Sequence, residues 1–405
     1  MPSSFTWLDY SESERQKSLD VINLFKNQDT RDELGLGTIR DAFADLFFPG
    51  TGTVQTRAKY FLFIPWIYRR LETKLTPSEE IQRRARKAEI DLIYSLEEGG
   101  ETEGIIGIDA REKLQRLPSN IYWLGLGAWG IRKFRGSQAQ YHRYLNRWYG
   151  ALRVRSGDDK ESGAMKAIPN WHPELPAAPG DFPNVASFAL SREEARFLEE
   201  QLLLSHPRSL LTWLVSCGKA YDATDFPWMH PQYSEFPVST KQQLEHARNF
   251  SEVMHGASLL YNLLLSRNTN NKSLVDNYLE RVKAWEDLVE SRKKSLVDWS
   301  RKEFWDLIIS LTQIHLRTRE FVNTWFSIVI DDKTFSKSFP SAAAEDLIKI
   351  RESQLKGTLA RLHNQAAREL WNGASGTGQI DYRWPVTQNI VIDVLRGLDR
   401  GKRNA

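Results

Sequence analysis

Apolar residues recur along most of this chain at spacings of three and four, the repeat that gathers them on one face of a helix. Leu19, Ile22, Leu24 and Phe25 set such a face over residues 11–27, and Ser11, Glu12 and Glu14 supply a cap and early acids. Gly35 and Gly37 break the pattern, and Thr38 opens a second helix carrying Ile39, Phe43, Leu46 and Phe47. After a turn at Pro49, Gly50 and Gly52, a third helix is expected from Thr53 onward, kinked or ended by Pro65. Its run Phe61, Leu62, Phe63, Ile64, Trp66 and Ile67 is apolar all round and reads as core. Further helices are expected from Thr76 to about Leu96, over 109–117, and from Ser119 to about Tyr149. Beyond Ser191 and Glu194, which form a capping box, helical spacing covers 191–204, 207–217, 239–267, 272–312 with a break, 314–330, 341–371 and 385–398. Few segments alternate with period two, so a large sheet is excluded and the fold class is mainly α.

Between these halves, residues 156–189 change character: Pro169, Pro173, Pro176, Pro179 and Pro183 follow closely, with Trp171, Phe182 and Phe188 to bury. The expected organisation is a two-part helical protein. A basic N-terminal domain (1–155) carries a helix-turn-helix-like region, an ordered Pro-rich connector spans 156–189, and a C-terminal helical bundle covers 190–405. Composition supports two cores, because 405 residues exceed the ~250–300 at which single cores stop growing. Aromatic residues make up 11%, far from a disordered composition.

One cysteine, Cys217, excludes an internal disulfide framework and a cysteine zinc cluster. Its apolar neighbours predict a buried structural thiol. The start of the chain has no basic segment followed by an apolar one, and the longest apolar stretch, 61–68, is far shorter than the ~20 residues of a membrane span. A cytoplasmic protein without a membrane partner is expected. The histidines are scattered, no carboxylate pattern completes a site around His246 and His255, and no metal or cofactor is expected.

Charge changes the picture through its distribution. The net charge is only +3, yet no Asp or Glu lies between Lys113 and Gly157, a stretch holding Arg132, Lys133, Arg135, Arg143, Arg147, Arg153 and Arg155. Arg143 and Arg147 lie one helical turn apart with Gln140 beside them, while Tyr141, Tyr144, Leu145 and Trp148 form a separate stripe that reads as core. The outer face, with Arg132, Lys133 and Arg135, is where a polyanion would bind, although a charge run is also what a solvated face looks like. A second set comes from the helix-turn-helix candidate: Thr53, Gln55, Thr56, Arg57 and Lys59 are the residue types that read base edges from the start of a recognition helix. The alternative there is a helical hairpin with a solvated polar end. Gly125-Leu126-Gly127-Ala128-Trp129-Gly130 has dinucleotide-binding spacing after a stretch, 121–124, that could be a strand. No acid lies about 20 residues on, no second strand follows, and Trp129 would crowd a phosphate; a helix thinned for close packing is the better reading. The Gly-rich turns at 50–53 and 373–378 lack the Gly-Lys-Ser/Thr ending of a phosphate loop.

The runs Gly35-Leu36-Gly37-Thr38-Ile39-Arg40-Asp41, Leu46-Phe47-Phe48-Pro49-Gly50 and Gln55-Thr56-Arg57-Ala58-Lys59-Tyr60-Phe61-Leu62-Phe63-Ile64-Pro65-Trp66 resemble a bacterial family of unknown function of similar length. So do Ile121-Tyr122-Trp123 with Gly130-Ile131, and Asp381-Tyr382-Arg383-Trp384. The resemblance runs the whole chain and implies a setting in anti-phage defence islands. It brings no catalytic residues. The function expected on both grounds is non-catalytic nucleic-acid binding, of DNA or RNA, within a prokaryotic defence assembly. The alternatives are a helical adaptor for a partner helicase or nuclease encoded in the same operon, and an enzyme on an unfamiliar helical scaffold.

Overall fold

In the computed structural model of the chain, residues 32–156, 169–219, 221–269, 271–331 and 339–399 are described; the helix expected over 11–27 lies outside them. The architecture is mainly α, and among the described residues there is no strand, only an isolated antiparallel bridge between Arg132 and Trp171. The first half contains α1 (Gly37–Phe47), α2 (Tyr60–Thr73), α3 (Ser78–Glu98), α4 (Pro118–Ala128), α5 (Gln138–Ser156), α6 (Arg192–Ser205) and α7 (Leu210–Cys217). The second contains α8 (Val238–Arg267), α9 (Lys272–Val297), α10 (Arg301–Leu311), α11 (Leu316–Phe326), α12 (Ala342–Lys356), α13 (Gln365–Glu369) and α14 (Trp384–Gly397).

Local chemistry accounts for most helix starts. Ser191 and Glu194 close the capping box of α6, and Ser209, Asn271, Ser300, Ser341 and Asn364 each accept a first-turn N–H at their helix, satisfying donors that have no partner within the helix. At α1 the acceptor is the Asp32 carboxylate, at 2.6 Å from both the Leu36 and Gly37 nitrogens, and not the hydroxyl of Thr38.

Several expectations are corrected, among them the single helix over 341–371, which ends at Lys356 and resumes only at Gln365. The helix expected from Thr53 begins at Tyr60, because 50–55 closes into a turn of its own, and it runs through Pro65 instead of breaking there. Tyr60 to Tyr68 are all buried, and packing on every side outweighs the hydrogen bond that proline removes. Residues 109–117 form only a short 3-10 turn at Arg111–Lys113. The helix expected over 119–149 is two helices, because Gly130 takes a left-handed conformation (φ +69°) that ends α4. The chain then runs extended to the start of α5. Cys217 is also corrected: as the last residue of α7 it is exposed, while Leu210, Leu211, Leu214 and Val215 before it are buried.

The described residues form two compact units. One comprises those up to Ala42 with Glu245–Ile380, the other Phe43–Leu244 with Asp381 onward. In the first unit α9 to α13 gather with most of α8 around Phe250, Trp285, Phe304, Trp325 and Phe326. Glu33, Glu352 and Arg361 are buried there as a connected group, with Arg361 Nη1 donating to Glu33 Oε1 at 3.1 Å and the Tyr261 hydroxyl donating to Glu352 Oε1 at 2.7 Å. In the second unit α2 packs on α3 and α4, α3 on α5, and α14 on α6 and α7. Of the Pro-rich stretch, residues 169–189 belong to this unit and bury Trp171, Phe182 and Phe188.

Candidate functional site

The acid-free stretch of the second unit is built around an extended segment and a helix. The Lys133 and Phe134 nitrogens donate to Asn170 O, and the His172 nitrogen donates to Ile131 O, so residues 131–134 lie against 170–172. Ser137 and Gln140 then start α5: the Ser137 nitrogen donates to Gln140 Oε1 at 2.7 Å, and the Gln140 nitrogen to Ser137 Oγ at 3.2 Å. The inner side of α5 buries Tyr141, Leu145, Trp148 and Tyr149, as helical spacing predicts.

Beneath this surface lies a polar anchor. Glu72 of α2 is buried, and its Oε1 accepts from the Tyr141 hydroxyl, from Asn170 Nδ2 at 3.0 Å and from Trp171 Nε1 at 3.1 Å. Burial raises the Glu72 pKa, and the three donors oppose the rise. One carboxyl thus ties α2, α5 and the 170–171 segment together. The Tyr68 hydroxyl sits 3.2 Å from His142 Nε2 and accepts from Gln138 Nε2 at 2.7 Å. Burial lowers the His142 pKa to about 4, so this histidine adds no charge to α5 near neutral pH. Glu89 of α3 accepts from the Ser119 nitrogen at 2.8 Å, leaves its Oε1 without a partner, and is raised to about 7 by burial.

The sequence candidates fall into two groups. Seven lie in the turn before α2 or are engaged internally. Thr53 is exposed on that turn. Gln55 is buried and closes the turn, its Nε2 donating to Gly50 O at 3.1 Å. Thr56 Oγ1 donates to Gly104 O at 2.7 Å. Arg57 makes a two-pronged pair with Asp393, Nε to Oδ2 and Nη2 to Oδ1 each at 2.9 Å, and lies over the Phe188 ring. Lys59 is buried against Glu194 Oε2 at 2.5 Å and Ala189 O at 2.9 Å. Arg132 covers the Trp123 ring and donates to the Trp123, Phe134 and Gly136 carbonyls. Gln140 is the cap partner already described. The other four, Lys133, Arg135, Arg143 and Arg147, are exposed, and no carboxylate among the described residues pairs with them.

The helix-turn-helix candidate therefore has no reading helix at Thr53–Lys59, and α2 presents buried side chains where a groove would need exposed ones. Ile121 to Leu124, weighed as a strand, lie inside α4. Its glycines serve close approach: a Cβ on Gly125 would stand 2.4 Å from Gly50 O, and Trp129 stacks on Phe61 with centroids 3.8 Å apart. The sequence reading missed one surface feature. Tyr144, assigned to the core stripe, is only half-buried and meets the half-buried Phe134 ring at 5.5 Å; its place between Gln140 and Arg147 on one helical face was the available signal.

Elsewhere in this unit a hollow of about 440 Å³ is edged by Arg192, Arg196, Glu174, Glu193 and Glu200, acids and bases together, with no single sign to draw an ion. Among the described residues no three His, Cys, Asp or Glu side chains come together as a metal ion would require, and no helix is long and apolar enough to cross a membrane.

The fold is mainly α, and the second unit presents exposed cations on α5 and the segment before it that no carboxylate among the described residues pairs with. The chain belongs to the family described as Family of unknown function (DUF6361), whose model matches residues 2–395. No curated protein and no solved structure matches it.

Proposed function

We propose that this protein binds nucleic acid through the outer face of α5 and the extended segment before it. The observation that carries the reading is that Lys133, Arg135, Arg143 and Arg147 are exposed without a carboxylate partner among the described residues, in a stretch free of acids from Lys113 to Gly157. Several other described cations in this unit are engaged. Arg57 and Lys59 hold Asp393 and Glu194, Arg69 and Arg70 donate to the Leu175 and Phe182 carbonyls, and Arg86 donates to the Leu114 and Glu112 carbonyls. Cations left unpaired on one face set up the field that phosphates follow. The defence-assembly setting rests on the resemblance alone and enters as context.

The test is the variant Arg143→Gln/Arg147→Gln, measured for stability and for affinity to labelled DNA and RNA. Both residues face solvent, so stability should stay within about ±0.5 kcal/mol per site, while affinity falls for every sequence tried. Unchanged affinity in a folded variant would refute the reading. The adaptor reading stands second, favoured by Ile350, Leu355, Leu359 and Leu370, which are exposed around α12 and α13 in the first unit.

A further inference from the structure

The surface that carries the cations also carries a pair of rings, and the pair narrows what kind of nucleic acid fits. Between Lys113 and Leu152 the aromatic side chains Tyr122, Trp123, Trp129, Tyr141, Trp148 and Tyr149 are buried. Phe134 and Tyr144 are the two that reach the surface, with centroids 5.5 Å apart at an interplanar angle of 34°. They are held from below: Phe134 meets Tyr141 edge-on at 5.6 Å, and Tyr141 is fixed by its bond to Glu72. Lys133 and Arg135 flank Phe134 in the chain. On α5, Tyr144 lies beside Arg143 and one turn before Arg147, so cations surround the rings on two sides.

Among the described residues, Glu79 and Glu174 come near this surface. Glu79 is held by Asn146 Nδ2 at 3.1 Å at the start of α3. On the Lys133 side, Glu174 and Lys133 act on His172 with opposite sign. Neither acid pairs with Arg143 or Arg147.

We infer that the ligand of this face is single-stranded nucleic acid, its phosphates held by Lys133, Arg135, Arg143 and Arg147 and a base stacked on the Phe134–Tyr144 pair; the inference rests on the nucleic-acid reading above. A base in a duplex already has its faces covered by its neighbours, so a surface ring gains nothing from it. An unstacked base offers a π-face that any aromatic platform can use, whatever the sequence. The Thr53–Lys59 segment, whose residue types suit base-edge reading, forms no helix that could enter a major groove. A cationic track beside a ring platform is instead how single strands are held without sequence preference.

The full chain is tested with oligo-dT and oligo-U, with a blunt DNA duplex, and with inorganic polyphosphate as a polyanion that has no base. Both single strands should bind more tightly than the duplex. Tyr144→Phe keeps a ring and should bind like the parent. Tyr144→Leu keeps apolar packing on Phe134, and it should lose roughly 5- to 150-fold in affinity for single strands, the range of one lost stacking contact, with polyphosphate binding unchanged. Equal binding of duplex and single strand, with Tyr144→Leu indistinguishable from the parent, overturns the inference and leaves the nucleic-acid reading standing if Arg143→Gln/Arg147→Gln still weakens binding. Parallel loss of single-strand and polyphosphate binding in Tyr144→Leu makes the ring structural and also overturns it. If the arginine variant binds all probes like the parent, both readings fall.

Discussion

Glu89 shows what a single buried acid does to this protein. Its carboxyl is held by the backbone nitrogen and side chain of Ser119 while Oε1 has no partner, and burial outweighs these bonds and raises its pKa from 4.5 to about 7. The native state thus prefers the protonated form. The unfolded chain releases that proton near the ordinary value, so the native state binds more protons between about pH 4.5 and 7, and stability falls as pH rises through that window. At about 1.4 kcal/mol per pKa unit the loss is on the order of 3 kcal/mol. Glu89→Gln, which keeps an acceptor for the Ser119 nitrogen, should remove it. Denaturant melts of the two proteins should agree near pH 4.5 and diverge with rising pH, the variant being more stable at pH 8. Parallel profiles would show that Glu89 is ionised without cost. Nothing around Glu89 in the sequence marks it as buried, because residue type alone reads it as one more polar position on a charged helix. The same holds for Arg57 and Lys59. Their residue types suit base reading, and their partners Asp393 and Glu194 lie 336 and 135 positions away, beyond the reach of any local pattern.

At the scale of elements, two glycines of the basic stretch have opposite roles. Gly125 sits in α4 where an added Cβ would press on Gly50 O at 2.4 Å and on the Phe61 ring at 3.1 Å. Gly125→Ala should destabilise by about 1–3 kcal/mol or more, the cost of overpacking against groups that cannot move away. Gly150 is exposed inside α5 with nothing within 4 Å of its Cβ direction, so Gly150→Ala should stabilise by roughly 0.5–1 kcal/mol. Thermal melts of both check the signs, and a neutral Gly125→Ala would mean that α4 does not approach the turn at 50–52 this closely. Elements were legible where their signals are local. The capping box of α6, the break between α9 and α10, and the spans of α8 and α14 all follow from caps and apolar spacing within each segment. The start of α2 and the split of α4 from α5 were not. Apolar spacing continues across the left-handed turn at Gly130, and the polar residues 53–59 look helical until tertiary bonds draw them into a turn. On α5 the exposed cations Arg143 and Arg147 were legible and the half-buried Tyr144 was misassigned, because a ring at the edge of an apolar stripe differs from its buried neighbours only in what packs over it.

For the whole molecule, 55 basic residues stand against 52 acidic ones, so affinity for a polyanion has to come from where the charges are left unpaired and not from their sum. That makes the number of phosphate contacts small and countable. Counterion release gives a slope of about −0.7 per contact for single strands and about −0.9 for B-DNA in a plot of log affinity against log salt. Four contacts from Lys133, Arg135, Arg143 and Arg147 therefore predict a slope near −3 on a single strand. The decisive measurement is this slope for the parent protein and for folded Arg143→Gln/Arg147→Gln. The account predicts that the variant is shallower by about 1.4 on a single strand, or about 1.8 on a duplex. Equal slopes, or no salt-dependent binding by the parent, would contradict it.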